Sequence, residues 1–188
     1  MASDTRDRLI RTTSRLLRTQ GYGATGLNQV MAEADAPKGS MYFHFPGGKE
    51  ELAAAAIDRF AARMSRGIAE GLETHATVAD AVTYFFDQEI ARIERTAFTE
   101  GCAVATVALD AAASHDLLAT TTGDAFRGWT AQLAEALEAE GRSADDARRA
   151  AILFLATFEG ALVMAKAQRS IEPMVVVRDV VRDLLTLR

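Results

Sequence analysis

A short stretch near the start of the chain concentrates groups that can bind an anionic polymer. Within residues 38–49 the relevant residues are Lys38, Gly39, Ser40, Tyr42, His44 and Lys49. Their ammonium, hydroxyl and imidazole groups can donate hydrogen bonds to phosphates or to base edges. The glycine would let a backbone come close. This grouping indicates nucleic-acid chemistry, although a Lys-Gly-Ser-aromatic cluster can also be an ordinary helix start beside a solvated face.

The elements that must position these groups are two short helices joined by a tight turn. The apolar side of the first helix consists of Leu27, Val30, Met31 and Ala34. Their spacing of i, i+3, i+4 and i+7 is that of one helix face. Thr25 or Gly26 begins this helix, and a Thr hydroxyl there can accept hydrogen bonds from free backbone N–H groups.

The second helix follows a turn at Asp35, a residue type that tolerates the left-handed conformation. Pro37 is predicted to open this helix, since its fixed φ suits the first helical position. Residues 38–44 then span roughly 10 Å, which fits a DNA major groove about 12 Å wide. Met41 and Phe45, four residues apart, would hold the helix on the protein. The pair predicts a helix-turn-helix whose second helix enters the groove.

The run APKGSMYFHFPGGKEEL resembles the recognition helix of the TetR (tetracycline-repressor) family of bacterial regulators. Its Pro-Gly-Gly-Lys exit, one residue longer than the usual Pro-Ser-Lys, is most similar to the lincomycin-resistance repressor subgroup. The resemblance is specific over residues 6–52. Asp35 stands where the family usually has Gly, and Phe43 where a polar or basic residue is common, so base preference is unreadable. The predicted DNA contacts are Thr25, Lys38, Gly39, Ser40, Tyr42, His44 and Lys49.

Composition and charge agree with a folded protein that has a local basic surface. The chain has 188 residues, 49% of them hydrophobic, and a net charge of −5. Residues 1–50 hold seven Lys and Arg against five Asp and Glu, so the acidic excess lies in the remainder. The electrostatic footprint for DNA is therefore confined to the N-terminal part. No targeting or membrane-spanning stretch is recognisable, which predicts a cytoplasmic protein without a membrane partner.

Hydrophobic periodicity predicts an all-α fold with two domains. Residues 1–50 form a three-helix helix-turn-helix DNA-binding domain, and residues 51–188 form a larger helical domain for effector binding and dimerisation. The helices are predicted at residues 4–20, 25–34, 38–44, 49–74, 77–95, 102–113, 117–140, 144–169 and 173–187. Ser143 is expected to cap the helix that follows it. The family resemblance implies that effector binding shifts the helix of residues 49–74.

The two C-terminal helices are predicted to form a homodimer interface. The helix of residues 144–169 has one apolar stripe at Ala151, Phe154, Phe158 and Leu162, and another at Leu153, Ala161 and Met164. An apolar surface this wide must be covered on two sides. Gly160 would let a partner backbone approach closely. In the last helix the inward residues are predicted to be Val177, Val180, Val181 and Leu184, although residues 175–177 could also form a buried strand.

Aromatic residues of the second domain predict an apolar effector pocket. The candidates are Phe85, Phe86, Cys102, Phe126, Trp129 and Phe158. Each could equally be ordinary core, and Trp129 stands out because a buried indole N–H needs a partner. Cys102 could sense redox state, although a lone thiol in an apolar helix is more often a small hydrophobe. As the single cysteine, it excludes an internal disulfide and a cysteine-cluster zinc site.

Enzyme signatures are missing from the sequence. The three histidines, His44, His75 and His115, show no paired ligand spacing, and no Gly-rich phosphate loop follows a strand. We therefore expect no catalytic residue, metal or cofactor. The expected function is a homodimeric transcriptional regulator, a repressor in the first place, that binds a palindromic operator and is released by a small apolar effector. Activation remains open, as do a helical ligand-binding or scaffold protein without DNA affinity and, more remotely, a helical enzyme.

Overall fold

The computed structural model describes residues 2–37 and 39–186, and every regular element within them is an α-helix. The helices are α1 Ala2–Ala24, α2 Leu27–Glu33, α3 Ser40–His44, α4 Gly48–Thr74, α5 Val78–Arg95, α6 Ala103–Asp110, α7 Asp116–Ala139, α8 Ala144–Gln168 and α9 Glu172–Thr186. The predicted all-α class is confirmed.

Side-chain caps fix where several of these helices begin. The hydroxyl of Ser143 accepts a hydrogen bond from the backbone N–H of Asp146 at 3.2 Å, which confirms the predicted cap of α8. Thr77 caps α5 in the same way, with 3.1 Å to the N–H of Asp80. Each cap satisfies a backbone donor that the first helical turn leaves without a partner.

The first compact unit contains residues 1–62 and 102–125. Here α1 packs on α6, and the core includes Leu9, Leu16, Leu17, Ile57 and Val107. α1 breaks at Gly21, whose φ of 78° lies in the left-handed region. A Cβ at this position would also lie 2.6 Å from a carboxylate oxygen of Asp110. Conformation and space therefore both require glycine at this break.

The second compact unit contains residues 63–101 and 126–188. In this unit α9 packs on both α5 and α8. Four phenylalanines of α5 and α8 form the aromatic centre of the unit, namely Phe85, Phe86, Phe154 and Phe158. α4 and α7 contribute residues to both units. The expected domains at 1–50 and 51–188 stay a prediction.

The buried face of α9 differs from the predicted one. Of the four residues predicted to face inward, Val181 is buried and Val177 is half-buried, whereas 60% of Val180 is exposed and Leu184 is exposed as well. Met174 and Leu185 are buried in their place. Consecutive valines make several stripes of this helix equally apolar, so the periodicity could not select the inward one. Residues 175–177 lie within α9, and the alternative of a buried strand is wrong.

α8 has the apolar middle that the sequence predicted. Phe154, Phe158 and Leu162 are buried, and so is Ala161, which was expected on the opposite stripe. By length and composition α8 is the one described helix that could cross a membrane, a test that the core helix of a soluble protein also passes.

Candidate functional site

The turn between α2 and α3 has the left-handed residue that the sequence predicted. Asp35 adopts φ 48°, and the guanidinium of Arg8 donates a hydrogen bond to its carbonyl at 2.9 Å. Asp is among the few non-glycine residues for which this conformation is cheap. The substitution of the family's usual glycine therefore leaves the turn intact.

α3 begins later than predicted. Gly39 is its N-cap, and the carbonyl of Pro37 accepts hydrogen bonds from the backbone N–H of Ser40 at 2.9 Å and from its hydroxyl at 2.7 Å. The prediction that Pro37 opens the helix is wrong, because its carbonyl closes a separate turn before Ser40. Lys38, which lies between Pro37 and Gly39 in the sequence and was predicted to contact DNA, is outside the described residues.

The two sides of α3 differ sharply in exposure. Met41 and Phe45 are buried, and the guanidinium of Arg6 lies 5.1 Å from the ring centroid of Phe45. On the other side 64% of Tyr42 and 77% of Phe43 are exposed. The predicted anchoring of the helix is thus confirmed. Two aromatic rings remain on its outer side, next to the half-buried His44.

Thr25 has a different role from the predicted cap of α2. Its side chain is buried, and its hydroxyl donates a 2.5 Å hydrogen bond to the carbonyl of Gly21. Gly26, the other residue predicted to begin this helix, is the N-cap, and it makes no side-chain cap bond. The predicted capping by Thr25 is wrong, because the break in α1 leaves a carbonyl that takes the hydroxyl proton. Thr25 therefore ties α2 to the end of α1.

Lys49, at the start of α4, is bound to the protein in this structure. Its ammonium donates to the carbonyl of Tyr22 at 2.6 Å and lies 4.2 Å from the centroid of the Tyr22 ring. Partial burial lowers the pKa of Lys49, and the negative charge of Asp110 opposes this shift. Contact with a DNA phosphate would require the ammonium to leave the Tyr22 carbonyl.

Three of the six predicted effector-binding residues come together in the second unit. The ring of Phe158 lies 5.2 Å from that of Phe85 and 5.5 Å from that of Phe86, and all three are buried. Phe154, predicted on the apolar stripe of α8 but not among the six site candidates, completes the cluster. Trp129 is also buried and contacts the half-buried Phe126 edge to face. Cys102 belongs to the first unit, where its sulfur caps α6.

A cavity of about 330 Å³ lies between α4 and α5 of the second unit. Its lining residues are Arg63, Met64, Arg66, Gly67, Glu70, Tyr84, Phe85, Gln88 and Glu89. Glu89 is buried and accepts a hydrogen bond from Nε of Arg92 at 2.6 Å. The Tyr84 hydroxyl donates to Glu70 at 3.1 Å, which raises the pKa of Tyr84.

The sequence prediction missed the polar lining of this cavity. Charged residues on a helix are usually placed on its solvated face, and a buried ion pair becomes visible only once neighbouring helices are in place. The one available signal was the position of Glu89 within the apolar stripe of α5.

The outer side of α8 and α9 carries a further group of exposed apolar side chains, namely Ile152, Leu153, Val163, Met164, Val176, Val180 and Leu184. Gly160 lies on the same helix, and a Cβ there would meet no atom within 4 Å. Exposed apolar groups are typical of interaction sites when they form a large continuous patch. Within residues 2–37 and 39–186, no group of three His, Cys, Asp or Glu side chains could hold a metal ion.

Comparison with known proteins relates both parts of the chain to bacterial regulators. Residues 9–56 match the tetR family of bacterial regulatory proteins, and residues 78–180 match the C-terminal domain of LmrA/YxaF-like transcriptional regulators. The chain is 30% identical to the transcriptional regulator LmrA of Bacillus subtilis over 97% of both proteins. It is 26% identical to the transcriptional repressor NemR of Escherichia coli, over 91% of this chain and 88% of NemR.

Solved structures give the same result for the fold. A TetR transcriptional regulator from Chloroflexus aurantiacus superimposes with a TM-score of 0.85 at 27% identity, over all of this chain and 96% of the other. The regulatory protein TetR from Rhodobacter sphaeroides also gives a TM-score of 0.85, at 23% identity, covering 94% of this chain and 96% of that one.

Proposed function

The chain belongs to the TetR family of DNA-binding transcriptional regulators, which are not enzymes, and from this membership we propose the details of its action. It acts in the cytoplasm as a repressor that binds a palindromic operator as a homodimer. A small, largely apolar effector releases it. The observation that carries the proposal is α3, a short helix anchored by Met41 and Phe45 that turns two exposed aromatic side chains outward.

The proposed DNA contacts lie on α3 and at its two ends. Ser40, Tyr42 and His44 offer hydroxyl and imidazole groups from the helix, and Gly39 allows close approach of the backbone. Lys49 follows at the start of α4 and would exchange the Tyr22 carbonyl for a phosphate. Lys38 completes the set, while the buried Thr25 contributes by holding α2. Such contacts fix the register of a recognition helix in the groove.

The proposed dimer forms through the outer faces of α8 and α9. Their exposed apolar side chains would become buried, with Gly160 permitting close approach of the two α8 backbones. A two-fold axis places the same patch on both subunits and presents two recognition helices. Operator half-sites would then lie about 34–36 Å apart or a multiple of that distance.

The proposed effector site is the second unit, with the cavity between α4 and α5 as its polar part and the phenylalanine cluster as its apolar part. A ligand with an aromatic body and a hydrogen-bonding group matches this lining, which combines Phe85 and Met64 with Tyr84, Gln88 and Glu89. Binding pockets for small molecules usually combine apolar walls with a few polar groups.

A DNA-binding titration at two salt concentrations tests the proposal. The probes are the DNA immediately upstream of the protein's coding region and a random-sequence pool. We expect saturable binding by a dimer that weakens steeply with salt, because phosphate contacts release counterions. Tyr42→Ala should weaken binding about tenfold, whereas Leu109→Ala, which removes an exposed apolar side chain outside α3, should not.

The same titration can overturn the proposal. If neither DNA is bound at low salt, the chain acts as a ligand-binding protein without operator affinity. If Tyr42→Ala binds as tightly as the unchanged protein, the assignment of α3 as the reading helix is wrong.

A further inference from the structure

We infer that Phe43 contacts the 5-methyl group of a thymine in the major groove and thereby selects one A·T base pair in each operator half-site. The inference rests on the proposed function, since it requires α3 to enter the groove. It adds a specificity-determining residue to the proposed contacts, at the position where the family pattern left base preference unreadable.

The exposure of Phe43 is the first argument. It lies on a helix whose neighbouring residues at positions 41 and 45 are buried, yet 77% of its own surface is accessible. The ring contacts only His44 among the described aromatic residues, edge to face at 5.0 Å. Exposing an apolar ring of this size costs free energy, roughly 25 cal/mol for each Å² of apolar surface. Unlike a single exposed apolar residue elsewhere, Phe43 lies beside the exposed Tyr42 on the outer side of α3, the side that the proposed function turns toward DNA.

The chemistry of the side chain is the second argument. A phenyl ring cannot donate or accept a conventional hydrogen bond, so Phe43 cannot replace Lys, Ser or Tyr as a phosphate contact. In the major groove, the thymine methyl is the apolar group that a base pair presents at its edge, and apolar side chains contact it. On the same surface, Tyr42 keeps a hydroxyl for the phosphate backbone. The two exposed aromatic residues therefore have separate roles: Tyr42 positions the helix on the phosphate backbone, and Phe43 reads the base sequence.

The test uses duplexes that the protein itself enriches from a randomised pool. Each thymine of an enriched duplex is replaced in turn by deoxyuridine, which removes the methyl group and leaves base pairing unchanged. At one position in each half-site, we expect affinity to fall about fourfold, the factor that corresponds to one buried methyl group. Replacement in both half-sites should weaken binding about fifteenfold.

Phe43→Ala provides the decisive comparison. This variant should bind more weakly but should bind the thymine and uracil duplexes equally. Tyr42→Ala is the matched control, because it removes the neighbouring exposed aromatic and should keep the thymine preference. Cytosine and 5-methylcytosine, placed opposite guanine at the same position, give an independent readout with the unchanged protein, and we expect the methylated base to be bound more tightly.

Three results separate the inference from the proposed function. Enrichment of no duplex overturns both. Enrichment followed by equal binding of thymine and uracil duplexes by the unchanged protein overturns the inference alone. A uracil penalty that persists in Phe43→Ala shows that another residue reads the methyl group, which also overturns it. Circular dichroism of Phe43→Ala, expected to be unchanged for so exposed a side chain, excludes a folding defect.

Discussion

Different interactions hold the two compact units of the molecule. In the first unit, a carboxylate oxygen of Asp110 at the end of α6 lies 2.9 Å from the backbone nitrogen of Tyr22 and 3.3 Å from that of Gly23, and accepts from both. The ammonium of Lys49 donates to the Tyr22 carbonyl. In the second unit, four phenylalanine rings lie 5.2–6.1 Å apart at the contact of α5 and α8.

The polar bonds of the first unit compensate for the break in α1. Gly21 ends the regular helix and leaves backbone groups without helical partners, which costs free energy if they are not hydrogen-bonded. Asp110 takes up two N–H groups, Thr25 donates to the Gly21 carbonyl, and Lys49 donates to the Tyr22 carbonyl. Such bonds contribute about 1 kcal/mol each in net terms, and about 1.5–3 kcal/mol where one partner is charged.

The core of the second unit is stabilised by the burial of apolar surface rather than by directional hydrogen bonds. Buried aromatic side chains each remove about 150–250 Å² from water. The same unit also buries an ion pair, Glu89 with Arg92, at 2.6 Å. The comparison teaches that the first unit adds directional hydrogen bonds at a helix break to its apolar core, whereas the centre of the second unit depends on the packing of aromatic rings. Substitutions at three sites, with a surface control for the first, test this contrast.

The largest effect is expected from Phe154→Ala in the second unit. Truncation removes a buried ring that contacts both Phe85 and Phe86 and should lower the free energy of unfolding by about 3–5 kcal/mol. The single tryptophan, Trp129, is buried in the same unit, so urea titration followed by its fluorescence reports this unfolding directly.

Gln168→Ala is the control for Phe154→Ala, because it truncates an exposed side chain of the same helix that lies outside the apolar group proposed for the dimer interface. It should change the unfolding free energy by about 0.5 kcal/mol or less. Similar losses for both variants would remove the distinction between packed centre and outer surface of α8.

An intermediate effect is expected from Asp110→Ala in the first unit. The N–H groups of Tyr22 and Gly23 lose their shared acceptor, and water replaces it only in part. We expect a loss of about 1–2 kcal/mol, visible as amide hydrogen exchange that is roughly 5–30 times faster at these two residues.

Asp110→Asn separates geometry from charge at this site. It keeps one acceptor oxygen without the negative charge and should show exchange rates between those of the unchanged protein and Asp110→Ala. Unchanged exchange in Asp110→Ala would mean that the break in α1 is stable without α6, and the proposed contrast between the units would fail.

Local patterns predicted the features of the molecule that depend on neighbouring residues. The helix positions, the cap at Ser143 and the left-handed turn at Asp35 follow from residue type and spacing. Burial of Met41 and Phe45 was predictable too, because four-residue spacing places them on one face. TetR-family membership was predicted from the resemblance of residues 36–52 to the family's recognition helix.

Features that depend on tertiary contacts were beyond the sequence. Asp110 meets Tyr22 across 88 positions of the chain, and no periodicity connects them. The start of α3 depended on which groups donate hydrogen bonds to the Pro37 carbonyl. The inward face of α9 depended on which of several valine stripes packs against α5. The sequence could therefore name candidate residues for the site. The hydrogen bond of Thr25 and the polar lining of the cavity became visible only in the folded structure.

The smallest effect is expected from Asp58→Asn in the first unit, as a pH-dependent gain in the free energy of unfolding. Burial raises the pKa of Asp58 above its ordinary value of 3.8, and the negative charge of Asp124 raises it further. The folded state therefore holds this proton more tightly than the unfolded state does. The stability that Asp58 contributes is fully present below pH 3.8 and is lost as the pH rises through the raised pKa in the folded state.

Asp58→Asn makes that loss measurable. At pH 7 the variant avoids an ionised carboxylate near Asp124 and should be more stable than the unchanged protein, by a few tenths of a kcal/mol because the site is largely solvated. At pH 3.5 most of the gain should be lost, since Asp58 is then mostly protonated in both states. Equal gains at the two pH values would mean that charge is not its cause. A gain confined to neutral pH would sharpen the contrast with the second unit, where the buried carboxylate of Glu89 is paired with Arg92.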